Sequence, residues 1–429
     1  MARMLDVYLH SDPIGHLIQD DGGDMVFDYA ESWLNKSGAT PLSQSLPLRK
    51  KRFKRNECRG FFAGILPEGA TREIIARNLG ISARNDYAML ERIGGECAGA
   101  VTFIPAGQTL PERNYSYRKL SAQELAAILK ELPKRPLLAG EEGIRLSLAG
   151  AQDKVAVRIE DGELSLPLGG APSTHILKPA AERFEGVVFN EELCMKLAAR
   201  AGLPTASVET RNVDGMDYLL VERYDRIHRR APGAEPMLER LHQEDFCQAQ
   251  GMVPEHKYQK EGGPSLKRCF GLLRDVSSAP VIDLARLLEA VIYNYFVGNN
   301  DAHGKNFSLL YHGVGTENPE IRLSPLYDIV STLYYPELSR DMAMKIGGEY
   351  SSEKVTARNF EQLAEEAGLG KPLVRGRVHE MAERVIDALA KVEIAHPVAE
   401  RVAGLIRQRS ERIRDSFRRQ RGFPQSGKR

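Results

Sequence analysis

A long apolar helix pattern that runs directly into a polar loop constrains this chain more than any other feature. In VIDLARLLEAVIYNYFVGN, residues 281–299, apolar side chains recur at helical spacing: Leu284, Leu287, Leu288, Val291, Ile292, Tyr295 and Phe296. Gly298 ends the pattern, as glycine commonly ends a helix. The loop NNDAHGKNF, residues 299–307, follows, and two apolar strand-like segments come after it. A polar loop set between regular elements is a candidate functional site.

The loop carries an Asp, four further residues and then an Asn, namely Asp301 and Asn306. Asp and Asn are common turn residues, so the spacing alone also fits an ordinary loop. In a phosphotransferase, the Asp orients and deprotonates a hydroxyl, while the Asn and a later Asp share a Mg²⁺ that carries nucleotide phosphates. Asp328 in LSPLYDIVS is the candidate for that later Asp, although a lone Asp there is usually a cap or turn former. There is no D-F-G, so the pattern is not that of an ordinary protein kinase.

Composition excludes several classes of protein. The 429 residues include 59 Lys plus Arg and 58 Asp plus Glu, so net charge does not favour a nucleic-acid binder. The five cysteines are widely spaced and form no C-x-x-C pair, which argues against disulfides and zinc and for reduced cytosolic thiols. No signal-peptide core and no run of about 18 apolar residues is present. We therefore expect a cytoplasmic protein that does not engage the membrane.

The chain divides into segments of different character, which predicts an α+β, bilobal fold. Residues 1–107 read as an N-terminal α+β domain, and 108–144 as a helix, SAQELAAILKEL with Ser121 as its cap, followed by a Pro-rich linker. Residues 145–224 read as a β-rich, nucleotide-binding lobe with one helix at 190–203. Residues 225–429 read as a larger, all-α catalytic lobe with further helices at 356–368, 373–391 and 397–419.

Three further segments carry residues that suit nucleotide binding. Lys178 ends the apolar run HILK, where a Lys is normally just solvated but could also contact phosphates as a point charge. Glu191 or Glu192 on the next helix could hold it in place. LSLAGAQDKVAV, residues 146–157, is neither G-x-G-x-x-G nor a P-loop, yet it could be a small-residue turn beside phosphates. VERYDR, residues 221–226, fits a hinge that contacts adenine or an ordinary strand end.

Two basic segments have mainly structural interpretations. RKKRFKR, residues 49–55, is usually a solvated loop, although it could contact DNA phosphates. The helix at 397–419 has an apolar seam of Val402, Leu405, Ile406, Ile413 and Phe417. Its arginines are predicted to form a basic outer face: Arg407, Arg409, Arg412, Arg414, Arg418 and Arg419.

Taken in order, the motifs resemble those of the HipA family, the kinase toxins of bacterial type II toxin–antitoxin modules. The resemblance extends through PLSQSLPL, GGECAGAVTF, LSLAGAQDKVAV, THILKP, NEELCMKLA, VERYDR, LHQEDFCQAQG, NNDAHGKNFSL and LSPLYDI. It implies a protein-kinase-like fold with an added N-terminal domain. It also implies ATP and Mg²⁺ as cofactors.

The resemblance implies a role for each matching position. Asp301 resembles the catalytic Asp, Asn306 and Asp328 the Mg²⁺ ligands, and Ser147 the serine that family members autophosphorylate to inactivate themselves. The nucleotide-binding positions implied are Ala149, Gly150, Ala151, Gln152, Asp153, Lys154, Lys178, Glu222, Arg223, Tyr224, His303, Gly304, Lys305, Asn306, Tyr327 and Asp328.

The resemblance further implies a serine/threonine kinase that phosphorylates a translation component, with an aminoacyl-tRNA synthetase as the expected substrate, and thereby arrests growth. The implied partner is a helix-turn-helix antitoxin (HipB-like) that carries the complex to operator DNA. Two alternatives keep the same scaffold: a non-catalytic corepressor subunit and a small-molecule kinase. The joint presence of Lys178, Asp301, Asn306 and Asp328 disfavours the first of these.

Overall fold

The computed structural model describes residues 3–110, 115–181, 183–229 and 237–419, without the side chains of 417–419. The described chain forms two compact units. The first unit comprises Met1–Ala180, Glu209–Lys257 and Ser308–Ser324, and the second comprises Ala181–Val208, Tyr258–Phe307 and Pro325–Arg429. Both units are discontinuous in sequence. The predicted domain boundaries after residues 107, 144 and 224 are a different division and stay a prediction.

The strands, in chain order, are β1 Arg3–Leu9, β2 Asp12–Gln19, β3 Met25–Tyr29, β4 Glu96–Cys97, β5 Val101–Pro105, β6 Ser116–Lys119, β7 Leu146–Ser147, β8 Val155–Glu160, β9 Glu163–Leu168, β10 His175–Pro179, β11 Val208–Val213, β12 Met216–Glu222, β13 Arg226–Arg229, β14 Met237–Arg240, β15 His242–Asp245, β16 Ser308–His312, β17 Glu320–Leu323, β18 Asp341–Ile346 and β19 Glu349–Ser351.

The α-helices are α1 Glu31–Leu34, α2 Arg55–Gly64, α3 Gly69–Leu79, α4 Asp86–Ile93, α5 Ala122–Glu131, α6 Val187–Arg200, α7 Phe246–Ala249, α8 Leu266–Val276, α9 Pro280–Val297, α10 Ala357–Ala367, α11 Lys371–Leu389 and α12 Pro397–Arg419. Among the helices of the described ranges, none combines the length and the apolar content needed to cross a bilayer.

The first unit is built on two antiparallel sheets. One has the strand order β3-β2-β1-β5, and alternate residues of β1 are buried because one face of this sheet packs on the core. Aromatic rings fill that core, with Phe62 lying 5.3 Å from Phe27 and 5.9 Å from Phe103 between ring centroids. The other sheet has the order β11-β12-β10-β8-β9-β6. β10 is an inner strand of it, paired on one side with β8 and on the other with β12.

The second unit is organised around α9, which contacts α8, α11 and α12. Apolar spacing along α9 produces a buried face that includes Leu287, Leu288, Ile292 and Phe296. The helix ends at Gly298, which takes a left-handed conformation with φ +72°. A side chain at this position would place Cβ 2.7 Å from Leu333 Cδ1, so the turn into the polar loop requires glycine.

The predicted helices are confirmed within a few residues. Ser121 caps α5 by accepting a hydrogen bond from Glu124 N, and α6 begins three residues before the predicted start, directly after Gly186 at φ +61°. Seven short strands, β13 to β19, lie in the region predicted to be all-α. Each has only three to six residues, too few to show a clear alternation in the sequence. The apolar seam of α12 is buried at Val402, Ile406 and Ile413, whereas the side chain of Phe417 lies outside the described residues.

One arginine of α12 contradicts the predicted basic outer face. Arg409 is 6% exposed and donates to Tyr295 O at 2.9 Å and to Ser352 O at 3.0 Å. Its guanidinium carbon also lies 4.8 Å from the centroid of the Tyr295 ring. A buried arginine is stable here because backbone carbonyls and an aromatic face replace the water it loses. Of the other predicted arginines, Arg407 and Arg412 are exposed and Arg414 is half-buried, whereas the side chains of Arg418 and Arg419 lie outside the described residues.

Candidate active site

Asp301 follows α9 on a backbone that asparagine side chains hold in place. Asn299 Nδ2 donates to Asn294 Oδ1 at 2.8 Å, and Asn299 Oδ1 accepts from Asp301 N at 3.2 Å. Asn294 Nδ2 is itself tied to Ala290 O within the helix, at 2.9 Å. The side chain of Asp301 is exposed. The backbone at this position is therefore fixed while the carboxylate remains accessible.

Tyr258 reaches the same carboxylate, with its hydroxyl donating to Asp301 Oδ1 at 2.8 Å. Its ring stands edge-on to the ring of His303, with 5.4 Å between centroids and 76° between planes. The Tyr258 oxygen thus marks a position from which a hydroxyl can hydrogen-bond to Asp301. No role for Tyr258 is predicted from the sequence, because it lies 43 residues before Asp301 and no motif marks it.

The turn after Asp301 is a 3-10 helix, Gly304–Asn306, closed by hydrogen bonds between its ends. Asn306 N donates to His303 O at 3.0 Å, and Asn306 Oδ1 accepts from His303 N at 3.3 Å. Tyr327 donates its hydroxyl to Lys305 O at 2.8 Å. His303, Lys305 and Asn306 are each less than a tenth exposed. These bonds consequently fix the backbone of the turn and the amide of Asn306.

Asn306 and Asp328 lie side by side, with 3.2 Å between Asn306 Nδ2 and Asp328 Oδ2. Amide and carboxylate oxygens are the ligands that Mg²⁺ prefers, and one or two such residues usually hold it together with substrate phosphates. Among the described residues, no group of three or more His, Cys, Asp or Glu could enclose a metal. Asn306 Oδ1 and the carboxylate oxygens of Asp328 are the donors of this pair that would hold Mg²⁺, with phosphate and water oxygens as its other ligands.

Ser147 is fully buried in the first unit, where β7 pairs in parallel with β4. Its Oγ donates to Ile65 O at 3.1 Å. Residues 146–154, hereafter the Ser147 segment, are also tied to the start of α3. Glu68 N donates to Gly150 O at 3.1 Å, and Thr71 Oγ1 donates to Ala151 O at 2.6 Å. Residues of the N-terminal part thus hold this segment in place.

The turn of the Ser147 segment is closed by Lys154, whose Nζ donates to Ala149 O at 2.6 Å. Gly150 has φ +103°, and a Cβ there would approach Lys154 Nζ to 2.8 Å, so the turn needs glycine. Gln152 and Asp153 are half-buried, and burial raises the pKa of the Asp153 carboxyl. The predicted nucleotide-side turn is therefore a closed loop of small residues.

Lys178 lies in β10, opposite Leu219 of β12, and is 7% exposed. Glu191 and Glu192, the two candidates to hold Lys178 in place, lie in different environments. Glu192 accepts a hydrogen bond from Lys196 at 2.7 Å, whereas Glu191 is 1% exposed. Which of them accompanies Lys178 stays a prediction.

Arg223, predicted for the hinge, directs its side chain into the first unit. It pairs with Glu96 at 3.0 Å and with Asp225 at 2.9 Å, and it is 4% exposed. Burial alone would raise the pKa of Asp225, but the charges of Arg223 and Arg226 outweigh it and hold that pKa below its ordinary value. Glu222 is exposed, and Tyr224 donates its hydroxyl to Gln243. The backbone of Arg223 is bonded as well, since Arg223 N donates to Thr174 O at 2.9 Å and Arg223 O accepts from Arg226 N at 3.2 Å.

The basic run at 49–55 is largely neutralised within the first unit. Four of its cations form ion pairs of 2.5 to 3.4 Å: Arg49 with Glu57, Lys50 with Glu31, Arg52 with Asp28, and Arg55 with Asp24. Paired cations attract phosphate less strongly than free ones. The structure therefore favours the interpretation of the run as a solvated loop.

Two domain families match most of the chain. Residues 146–391 match the HipA-like C-terminal domain, and residues 5–104 match the HipA N-terminal domain. The chain belongs to the HipA family. The resemblance drawn from the motifs is confirmed, and so is the α+β, protein-kinase-like fold with an added N-terminal domain.

Individual HipA-family relatives agree over nearly the full length. The serine/threonine-protein kinase toxin HipA of Shewanella oneidensis is 30% identical over 405 residues, which are 92% of this chain and 90% of that protein. The Sinorhizobium fredii protein Y4mE is 48% identical over 397 residues, covering 91% and 92% of the two chains. The solved complex of Shewanella oneidensis HipA with HipB and operator DNA contains a chain with a TM-score of 0.83 at 27% identity, covering 98% of this chain and all of that one. This protein is accordingly a kinase of the HipA family, and kinase relatives imply the use of ATP.

Proposed function

We propose that this protein is the toxin of a toxin–antitoxin pair and transfers the γ-phosphoryl group of ATP to serine or threonine hydroxyls of a protein. One observation carries the proposal. Within the second unit, an exposed Asp301 carboxylate stands on a fixed backbone, and the same loop supplies Asn306, whose side-chain amide lies beside the Asp328 carboxylate with Nδ2 donating to Oδ2 at 3.2 Å. A phosphotransferase needs this combination of a hydroxyl-orienting carboxylate and two oxygen donors.

Asp301 accepts the proton of the acceptor hydroxyl and orients its oxygen toward the γ-phosphorus. The oxygen forms a bond to phosphorus as the bond to the β,γ-bridging oxygen breaks, and ADP leaves. Asn306 and Asp328 would hold Mg²⁺, which when bound neutralises charge on the phosphates. Lys178 would contribute a further positive charge to the phosphates, and the segment of Glu222, Arg223 and Tyr224 would be the hinge beside the adenine.

Ser147 is the proposed site of autophosphorylation. Its hydroxyl is fully buried and donates to Ile65 O, so it must leave that position before it can accept phosphate. A phosphoryl group adds a charge of about −1.5 to −2, which an enclosed site facing a carbonyl oxygen cannot accommodate. Phosphorylation would therefore keep the Ser147 segment out of place and switch the kinase off.

The proposed protein substrate is a translation component, an aminoacyl-tRNA synthetase, and the proposed partner is a HipB-like antitoxin that binds operator DNA. The relative solved with HipB and operator DNA supports the second part. The basic run at 49–55 is not proposed to contact DNA, since most of its cations are paired. The five cysteines are buried and reduced, which suits a cytoplasm, where translation takes place.

Labelled ATP tests the proposal directly. Incubation of the purified protein with Mg²⁺ and γ-labelled ATP should place phosphate on Ser147. Asp301→Asn should lower the rate by at least about 100-fold, because it removes the group that accepts the proton. Asp275→Asn, which alters an exposed Asp of α8, is the matched control and should label like the wild type. Equal labelling of Asp301→Asn and wild type would contradict the assignment.

A further inference from the structure

Asp328 adopts a backbone conformation that L-amino acids seldom take, with φ +57°. Only Gly, and sometimes Asn or Asp, enters this left-handed region readily, and such a residue persists when its surroundings hold it there. The contacts on either side of Asp328 therefore determine where its carboxylate points.

On the N-terminal side, the chain is held by the loop that follows α6. Leu326 N donates to Pro204 O at 2.8 Å, and Ala206 N donates to Leu326 O at 2.9 Å. These two bonds fix the backbone two residues before Asp328.

On the C-terminal side, the chain is held by α6 itself. Asn190 Nδ2 donates to Ser331 O at 3.1 Å, and Asn190 Oδ1 accepts from Ser331 N at 2.9 Å. Both residues are fully buried. The amide of Asn190 thus binds the backbone of Ser331 as a neighbouring strand would, three residues after Asp328.

Thr332 connects the same segment to the loop that carries Asp301. Its Oγ1 accepts from Asn300 N at 2.8 Å and donates to Gly298 O at 3.1 Å. Leu333 N also donates to Gly298 O, at 3.1 Å. Ser331 and Thr332 therefore join three parts of the second unit: α6, the Asp301 loop and the turn at Asp328.

We propose that Asn190 and Thr332 are positioning residues, which hold the strained Asp328 turn at a fixed distance from the Asp301 loop so that Asp328 and Asn306 can share one divalent cation. The proposal rests on the proposed function. Asn190 binds the backbone of Ser331, and Thr332 binds the backbone of the Asp301 loop, so each would act through the backbone that carries Asp328. Replacement of either residue should lower the affinity for the cation in a protein that still folds.

The test measures metal binding without turnover. In the Asp301→Asn background, Mn²⁺ binding in the presence of a non-hydrolysable ATP analogue is titrated by electron paramagnetic resonance. Thr332→Val keeps the shape of the side chain but removes its hydroxyl, and should raise the half-saturating Mn²⁺ concentration by roughly 10-fold. Thr332→Ser retains the hydroxyl and should restore binding to within about twofold of the reference.

Thr356→Val separates positioning from general stability. Thr356 lies at the N-terminus of α10 in the same unit, and its hydroxyl donates to Asn359 Oδ1 at 2.8 Å. This control should lower the melting temperature without changing Mn²⁺ affinity. Asn190→Asp gives a second, independent variant, because it still accepts from Ser331 N but no longer donates to Ser331 O.

Unchanged Mn²⁺ affinity in folded Thr332→Val or in folded Asn190→Asp would overturn the positioning role, even if the melting temperature falls as it does in Thr356→Val. Absence of nucleotide-dependent Mn²⁺ binding in the reference protein would instead overturn the proposed function, and the positioning role with it. Binding by the reference protein with about 10-fold weaker binding by both variants supports the proposal.

Discussion

Ser147 and Asp301 lie in opposite settings within their own units. The hydroxyl of Ser147 is fully buried and bonded to a carbonyl. Its segment is held by pairing with β4, by the backbone of Glu68 and by the hydroxyl of Thr71. Asp301 and Asp328 expose their side chains on a backbone that other residues hold. The first unit thus encloses the proposed phosphorylation site, whereas the second unit exposes the proposed catalytic and metal-binding carboxylates. A group that reacts at every turnover must be accessible to substrate, whereas a group that is modified once can stay buried until then.

The largest effect on stability is expected when a buried charge of the first unit is removed. Glu96 is fully buried in β4, the partner of β7, and pairs with Arg223 and Arg226. Glu96→Gln should lower the free energy of unfolding by about 3 kcal/mol or more, because it leaves buried arginines short of negative charge. Trp33, the only tryptophan of the chain, is buried in this unit, so its fluorescence during urea unfolding measures the effect.

Glu163→Gln is the matched control, because the Glu163 carboxylate is exposed and pairs with exposed Lys119. It should cost less than about 1 kcal/mol. Equal losses in the two variants would show that Glu96 does not support the first unit in this way.

A second, smaller effect should appear as a pH dependence of the first unit. Burial raises the pKa of Glu244 from its ordinary 4.5 to about 7, against the hydrogen bonds that Ser43 and Tyr311 donate. Between these pH values the folded protein retains a proton that the unfolded chain has released. The stability that Glu244 contributes is therefore full below pH 4.5 and is lost as the pH rises to about 7.

Glu244→Gln cannot titrate. Its free energy of unfolding relative to wild type should therefore rise with pH, by up to about 3 kcal/mol between pH 4.5 and 7. Neighbouring His242, whose pKa burial lowers to about 4, contributes in the opposite direction but equally in both proteins. Urea unfolding at several pH values measures the difference, and a pH-independent difference would contradict the assignment of Glu244.

A third change should make the enclosed hydroxyl easier to reach. Thr71→Val removes the 2.6 Å bond to Ala151 O that helps to hold the Ser147 segment. One such bond contributes about 1 kcal/mol, so the segment should open and Ser147 should be phosphorylated roughly fivefold faster. Thr316→Val is the control, since it removes a hydroxyl-to-carbonyl bond of the same length in an exposed turn of the same unit. If Ser147 is phosphorylated no faster in Thr71→Val than in Thr316→Val, the bond from Thr71 does not help to keep Ser147 buried.

The smallest effect is expected at the surface of the first unit. Lys50 and Glu31 form a 3.3 Å ion pair in which both side chains are more than 70% exposed. Lys50→Ala should change the free energy of unfolding by less than about 1 kcal/mol, because water screens the pair. A loss comparable to that of Glu96→Gln would mean that surface and buried charges of this unit are equivalent.

Periodicity and spacing predict the parts of the site that depend on local sequence. The helical pattern of α9, its end at Gly298 and the Asp-to-Asn spacing of the next loop all follow from neighbouring residues. Asn190 and Thr332 could not be predicted, because their roles depend on contacts between distant segments; Asn190 and Ser331 are 141 residues apart.

Burial of charged side chains is equally hard to predict. Arg223 was expected at a hinge and Arg409 on an outer face, yet both are buried with partners from other segments. Glu96 lies 127 residues from Arg223 in the chain. A single sequence gives the pattern of apolar residues along an element, but not the distant carboxylate or carbonyl that makes a buried arginine stable.

The most direct test of the kinase assignment is a comparison of protein phosphorylation in cells after induction of the wild type and of Asp301→Asn. The Asn variant keeps the fold, since the side chain it changes is exposed. The wild type should arrest growth and place new phosphate on serine or threonine of a translation protein, and Asp301→Asn should do neither. Identical phosphorylation in the two cultures would contradict the assignment of this protein as a kinase toxin that acts through Asp301.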